Sequence, residues 1–328
     1  MLRIHFTAAD LGRVRLAQRA DVLWESVLSL HQLACPDFFF TAWSRRARSS
    51  LAGAGLGADV RLLMSLVPPT GYFPDFLTPA ANGPSADLET GIEAVLTTGK
   101  RRLRTDIALL ADEVARPAGW LDDLARGRPP ALRRLGTALR RYHQAALAPC
   151  STASATQVGA DRESQVQRLL DHGSEALLAH LGPTLRWRPP VLEADYPVDR
   201  DLYLQGRGLT VIPSLYAIHI PVTLADADLQ PVLVYPVPRG PLWLPDTPDH
   251  PATTALDDLL GPTRAAALRH LGTPHTTTSL AARLTTSPST VSRHTAVLRR
   301  AGLVTTERTG TSVLHRRTLL GTALVHGG

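Results

Sequence analysis

The sequence predicts an α+β protein in two domains, and three observations lead there. Apolar residues recur at helical spacing through most of the first half of the chain. From Val191 to Val237 that texture gives way to short β-like runs. The last stretch then places a short helix, a tight connection, a second helix and a hairpin in that order. At 328 residues the chain exceeds one typical domain of about 100 to 200 residues, and its 44 % hydrophobic content suits globular cores.

Taken in order, Leu2 to Phe6 alternates like a short strand, and Asp10 to Leu33 carries Leu11, Val14, Leu23, Val27 and Leu30 at spacings that suit helices. Helical patterns recur at Leu88 to Leu96, Arg102 to Val114, Ala131 to Leu147 and Asp161 to Leu181. In the last, Val166, Leu169, Leu170, Gly173, Leu177 and Leu181 fall on one face and are expected to meet the core. Pro68 to Pro84 and Pro149 to Gly159 read as loops. The runs Val191 to Tyr196, Leu209 to Ile218 and Val232 to Val237, punctuated by Gly206, Gly208, Pro213, Pro221 and Pro231, predict a small antiparallel sheet of three or four strands beside the helices. Pro238, Gly240, Pro241, Pro245, Pro248 and Pro251 forbid a continuous helix from Val237 to Thr254. The expected organisation is therefore residues 1–240 as a mainly helical α+β domain, 241–254 as an extended linker and 255–328 as a second domain.

Charge is informative once located. From Pro251 onward nine arginines stand against Asp257, Asp258 and Glu307, which accounts for the whole formal excess of +6; residues 1–250 balance. A localised basic excess is the footprint of a polyanion binder. Within it, Thr277 to Leu284 reads as a short helix, and Thr285, Thr286 and Ser287 as the connection. Ser287 is a good N-cap, with Pro288 at the first helical position, where a missing N–H costs nothing. The helix so opened runs to Arg300 and stops at Gly302. Val291 and Leu298 mark its inner stripe, while short or basic groups gather on the other side near its start. Such side chains let a helix seat in the major groove, and an arginine fork can grip the edge of guanine. Leu303 to Arg308 and Ser312 to Arg317, joined at Thr309 and Gly310, form the hairpin, a wing. Four independent features in this order predict a C-terminal winged helix-turn-helix. The candidate DNA-binding residues are Ser287, Ser289, Thr290, Ser292, Arg293, His294, Arg299, Arg300, Arg308, Thr311, Arg316 and Arg317.

The run Ser287 Pro288 Ser289 Thr290 Val291 Ser292 Arg293 His294, followed by Leu298 and by Ala301 Gly302 Leu303 Val304, resembles the recognition helix of the ArsR/SmtB family of bacterial repressors. The resemblance covers residues 262 to 325, about a fifth of the chain. It implies a homodimer with recognition helices in successive major grooves and wings on the flanking backbone or minor groove. Two departures matter. Thr295 stands where that family usually places leucine, so looser packing or a hydroxyl bonded back to a carbonyl is expected. The family's metal sensors carry two cysteines in the preceding helix, which here reads Leu280, Ala281, Ala282, so metal sensing is not inherited. Pro69 to Leu77 and Arg186 to Val198 resemble a domain that precedes such winged helices in actinobacterial regulators, a resemblance that supplies no chemistry.

Other motifs point nowhere sharper. Asp171, His172, Glu175 and His180 lie on one helix, but eight residues turn the two histidines about 80° apart, so they do not converge on one ion. Gly53, Gly55 and Gly57 follow an expected helix rather than a strand and read as a turn, not a phosphate loop. The aromatics Phe38, Phe39, Phe40, Trp43, Tyr72, Phe73 and Phe76 read as core, with a ligand pocket as the alternative. Cys35 and Cys150 are too few for a disulfide framework and are expected to be reduced and structural. No catalytic motif appears, and none calls for a cofactor. No run of 18 apolar residues occurs and Met1 to Phe6 lacks a signal-peptide pattern, so a soluble, cytoplasmic protein without a membrane partner is expected. The expected function is that of a non-enzymatic transcription regulator, a homodimeric repressor on double-stranded DNA whose N-terminal domain supports dimerisation or senses a small-molecule effector. The alternative is a winged helix used for protein interaction.

Overall fold

A computed structural model describes residues 1–69, 71–79, 87–113, 119–218, 220–239, 256–257, 259–309 and 312–326. The chain forms two compact units, Met1–Arg239 and Gly240–Gly328. Residues 240–255, which hold the expected linker, and residues 310 and 311, which include the candidate Thr311, lie outside the described residues.

The N-terminal unit runs β1 (Leu2–His5), α1 (Ala8–Leu11), β2 (Arg15–Leu16), α2 (Val22–Ala34), α3 (Thr41–Gly53), α4 (Gly57–Met64), α5 (Leu88–Leu96), α6 (Lys100–Glu113), α7 (Trp120–Ala125), α8 (Pro129–Tyr142) and α9 (Ser151–Ala179). It closes with β3 (Leu185–Arg188), β4 (Val191–Ala194), β5 (Arg200–Tyr203), β6 (Thr210–Ser214) and β7 (Val232–Pro236). Local chemistry sets the early boundaries. Thr7 and Asp10 form a capping box on α1, and Asp21 caps α2 by accepting from the N–H groups of Leu23 and Trp24. Asp10 also accepts from Gly208 N at 2.8 Å. Gly208 has φ +75°, and a Cβ there would lie 2.5 Å from the Arg13 carbonyl oxygen, so only glycine fits.

The α+β class holds, with antiparallel pairing in one sheet of order β3-β4-β1-β5, where Ile4 faces Leu192 on one side and, in parallel, Leu202 on the other. The run from Val191 joins this sheet. The runs from Leu209 and Val232 do not: they form β6 and β7, parallel to each other and to β2 in a second sheet. Every residue of β6 and the first four of β7 are buried, and burial without alternation belongs to parallel strands covered on both faces.

The Asp10 to Leu33 region holds the end of α1 and most of α2, with the two-residue β2 between them. Two other expectations need correction. Pro149 to Gly159 is not a loop: Pro149 sits in a 3₁₀ turn, where its ring is tolerated, and α9 starts at Ser151. Gly173, with φ +80°, kinks α9, so the stripe read across it does not keep to one face. Leu177 and Leu181 are buried and Leu170 is 75 % exposed. The expected loop around Pro74 is tightly held. Asp75 accepts from the N–H groups of Ala225 and Asp226, and Arg102 pairs with Asp75, Asp106 and Asp226.

The C-terminal unit contains α10 (Pro262–His270), β8 (His275–Thr276), α11 (Thr277–Arg283), α12 (Pro288–Arg300), β9 (Val304–Thr309), β10 (Ser312–Arg317) and α13 (Leu319–His326). Ala267, Leu268, Leu271, Leu280, Val291, Leu298 and Leu303 make its core, each large aliphatic chain contributing about 1.5 to 3 kcal/mol on burial. β10 pairs antiparallel with β9, Arg317 facing Val304, and with β8, Leu314 facing Thr276. Gly321 lets α13 lie against the start of β9, since a Cβ there would come within 2.1 Å of the Leu303 carbonyl oxygen.

Candidate nucleic-acid interface

α11 and α12 are the two helices of a helix-turn-helix, and each opens on a side-chain cap. Thr276 accepts from Ser279 N at 3.1 Å, and Ser287 accepts from Thr290 N at 3.2 Å with Pro288 at the first helical position. The connection turns through Thr285 at φ +52°, with Thr286 N donating to Ala281 O. Glycine is the usual residue at such a left-handed position, and a β-branched one is strained there. α12 ends on Gly302, φ +72°, with Leu303 N reaching back to Leu298 O and both leucines buried together.

Val291, Thr295 and Leu298 are the buried residues of α12. With about 100° between successive residues, Ser289, Arg293 and Arg300 point directly away from that stripe, and Ser292 and Arg299 run along one flank. All five are exposed. Thr290 and His294 lie on the opposite flank, half-buried. Burial, then Arg264 and Arg293, push the His294 imidazole below the ordinary histidine range, so at neutral pH it is an uncharged hydrogen-bonding group. The Ser287 hydroxyl is engaged by its cap and by the hydroxyls of Ser289 and Thr290, at 2.9 and 2.8 Å. Thr295 has its hydroxyl bonded back to Val291 O at 3.0 Å and Ser292 O at 3.2 Å, the arrangement expected for a threonine at a leucine position.

On the wing, Arg308 and Arg316 are exposed. Arg317 is not their equal: it faces inward, half-buried, its Nη2 2.9 Å from where a Cβ on Gly272 would stand. Strand alternation predicts this split between neighbours. The same alternation places His315 on the inner face, a residue the sequence reading passed over. His315 is 6 % exposed. Its two ring nitrogens lie 3.0 Å from the hydroxyls of Thr277 on α11 and Thr306 on β9, so it pins the wing to the first helix of the motif. Burial, then Arg299, lower its pKa.

The remaining candidates resolve simply. His172 is exposed, His180 Nδ1 sits 2.8 Å from Ala176 O, and Glu175 accepts from Trp187 Nε1. Among the described residues no three of His, Cys, Asp and Glu gather as metal ligands. Cys35 is exposed and Cys150 buried, both free. Phe40, Trp43 and Tyr216 pack on one another in the core, whereas Phe38 is 83 % exposed. No helix among the described residues is long and apolar enough to cross a membrane.

No curated protein and no solved structure matches the chain. A family model described as a helix-turn-helix domain matches residues 259–307. The matched stretch spans α10, α11 and α12 and enters β9, so the C-terminal unit carries a helix-turn-helix domain extended by a wing.

Proposed function

We propose that this chain is a DNA-binding transcription regulator, a homodimeric repressor that reads an inverted-repeat operator through two copies of α12 and does not sense metal. The observation that carries the reading is the outward face of α12. Ser289 and Ser292 are short enough to let the helix approach base edges, Arg293 stands one turn on from Ser289, and Arg299, Arg300, Arg308 and Arg316 offer exposed cations for flanking phosphates. No cysteine stands in α11 to serve a metal sensor's chemistry. Leu319 and Leu320, 91 % and 57 % exposed on α13, give a second copy an apolar surface to cover. The N-terminal unit serves dimerisation or effector sensing in this scheme.

Selection of bound duplexes from a random pool by the full chain tests the reading. The expected product is a two-fold symmetric site with half-sites about one helical turn apart, or a multiple of it. Affinity for that site should fall with salt at a log–log slope of about −0.9 per neutralised phosphate. Recovery of no enriched sequence, or of an affinity indifferent to salt, rejects DNA reading and leaves protein interaction as the role of the domain.

A further inference from the structure

The N-terminal unit holds a half-open cavity of about 250 Å³ that none of the aromatic residues picked out in the sequence lines. Its walls come from the first turns of α2 (Val22, Glu25), from the first turns of α9 (Ser154, Val158) and from Tyr216. The remaining wall is a π-helical turn, His143–Leu147, whose end residues His143 and Leu147 both face the space. Such widened turns inside helices recur at functional sites. This one is clamped in place: Trp43 Nε1 donates to Ala146 O at 3.1 Å and Ser50 Oγ to Ala145 O at 2.9 Å. Exposed residues Gln18, Arg19 and Ala155 form the rim.

The lining surface is mostly apolar, with His143, Ser151, Ser154 and Tyr216 among its polar side chains and Glu25 its acidic one. Glu25 is 7 % exposed, and its carboxyl accepts from the Ser214 hydroxyl and from Leu215 N at 3.2 Å. Neither partner is a cation. Asp21, whose charge also acts on it, carries the same sign. Arg239 is within electrostatic reach, but its guanidinium is committed to the carbonyls of Leu215 and Ala217 and stacks 5.4 Å from the Phe40 ring centre. Arg19 at the rim is near enough to Asp87 to help hold that carboxyl below its usual range. A buried carboxylate whose bonding partners are all neutral is costly, with Arg239 acting on it only at a distance, and a ligand that brings a cation into direct contact relieves that cost.

We propose that this cavity binds a small aromatic amine, its ring against Val22, Leu147 and Val158 and its ammonium group on Glu25. A dry cavity of about 150 Å³ takes benzene, so the space here suits roughly ten to twelve non-hydrogen atoms. A carboxylate ligand would set a second negative charge against Glu25, and a neutral alcohol would leave the charge uncompensated.

Titration calorimetry of the full chain at pH 8 with 1-naphthylmethylamine, 1-naphthalenemethanol and 1-naphthoate tests this directly, since the comparison needs no variant. The amine is expected to saturate one site per chain at least about tenfold more tightly than either of the others, a difference of about 1.4 kcal/mol. Glu25→Gln should bring the amine down to the level of the alcohol while leaving the alcohol unchanged. Ala155→Trp, at an exposed rim position, should abolish binding of all three. An alcohol or carboxylate that binds as tightly as the amine overturns the proposal. So does an amine affinity unmoved by Glu25→Gln, or the absence of saturable amine binding up to about 1 mM, the weakest binding a site of this size would be expected to show.

Discussion

Glu25 makes a demanding prediction about stability. Burial is the dominant cause that raises its pKa from 4.5 to about 7, against the lowering effect of the Ser214 hydroxyl and the Leu215 and Tyr216 N–H groups. Between those two values the folded chain holds a proton that the unfolded chain has released, so stability falls as pH rises through this window. A separation of roughly 2.5 units at about 1.36 kcal/mol each makes the loss about 3 kcal/mol by pH 8. Glu25→Gln removes the ionisation and keeps the shape. Its amide can take the place of a protonated carboxyl, accepting from Leu215 N and donating to the Ser214 oxygen. The variant is therefore expected to match the wild type within about 1 kcal/mol near pH 4.5 and to exceed it by about 3 kcal/mol at pH 8. Urea unfolding followed by tryptophan fluorescence reads mainly this unit, because four of the five tryptophans, Trp24, Trp43, Trp120 and Trp187, lie in it. His31 and His143, whose pKa values burial lowers, give slopes of the opposite sign. They are common to both proteins and cancel in the difference. A wild-type-to-variant gap that stays constant from pH 4.5 to 8 would refute the reasoning.

Three further outcomes are expected. Arg293→Ala should cost about 1 to 3 kcal/mol on the selected operator and relax preference at one base pair per half-site, whereas Arg316→Ala should weaken all duplexes alike; equal weakening of every sequence by Arg293→Ala would make Arg293 a phosphate anchor. Thr285→Gly removes the strain of a β-branched residue at φ +52° and should stabilise the motif by up to about 1 kcal/mol, seen as slower amide exchange in α11 and α12; faster exchange would show that the strain is compensated. His315 is expected to titrate below 6.5 in an imidazole NMR titration, so the stability it lends is present above that pH and lost as pH falls below it; a value above 6.5 would show that its bonds to Thr277 and Thr306 favour the charged ring.

The C-terminal unit was legible because its determinants are local. An N-cap followed by proline, a glycine at the helix end and a threonine in a leucine slot each act on groups within four or five residues, and each makes the bonds expected of it. The N-terminal sheets were not legible, because their pairings join distant segments: Leu2 lies beside Arg200, and Arg15 beside Thr210. Period-two patterning says which face of a strand is apolar and nothing about which strand lies next to it. The unbroken apolar run of β7, VLVYP, is a hint of a strand covered on both faces, where antiparallel pairing was expected instead.

The cavity shows the same limit from the side of function. Val22, His143, Val158 and Tyr216 share no motif, and none draws notice in its own segment. What marks the place is a carboxyl with a strong affinity for water set in the first turn of a largely buried helix and buried with it. Asp10 and Asp75 are also buried carboxyls, but Asp10 caps α1 and accepts from Gly208, and Asp75 is paired with Arg102. Glu25 caps nothing and has no cation among its bonds. A fold that can place Arg102 between three aspartates had a cation available to it for such a purpose. Leaving Glu25 with neutral bonding partners beside an open space is what a site looks like when a directly paired charge is to arrive with the ligand.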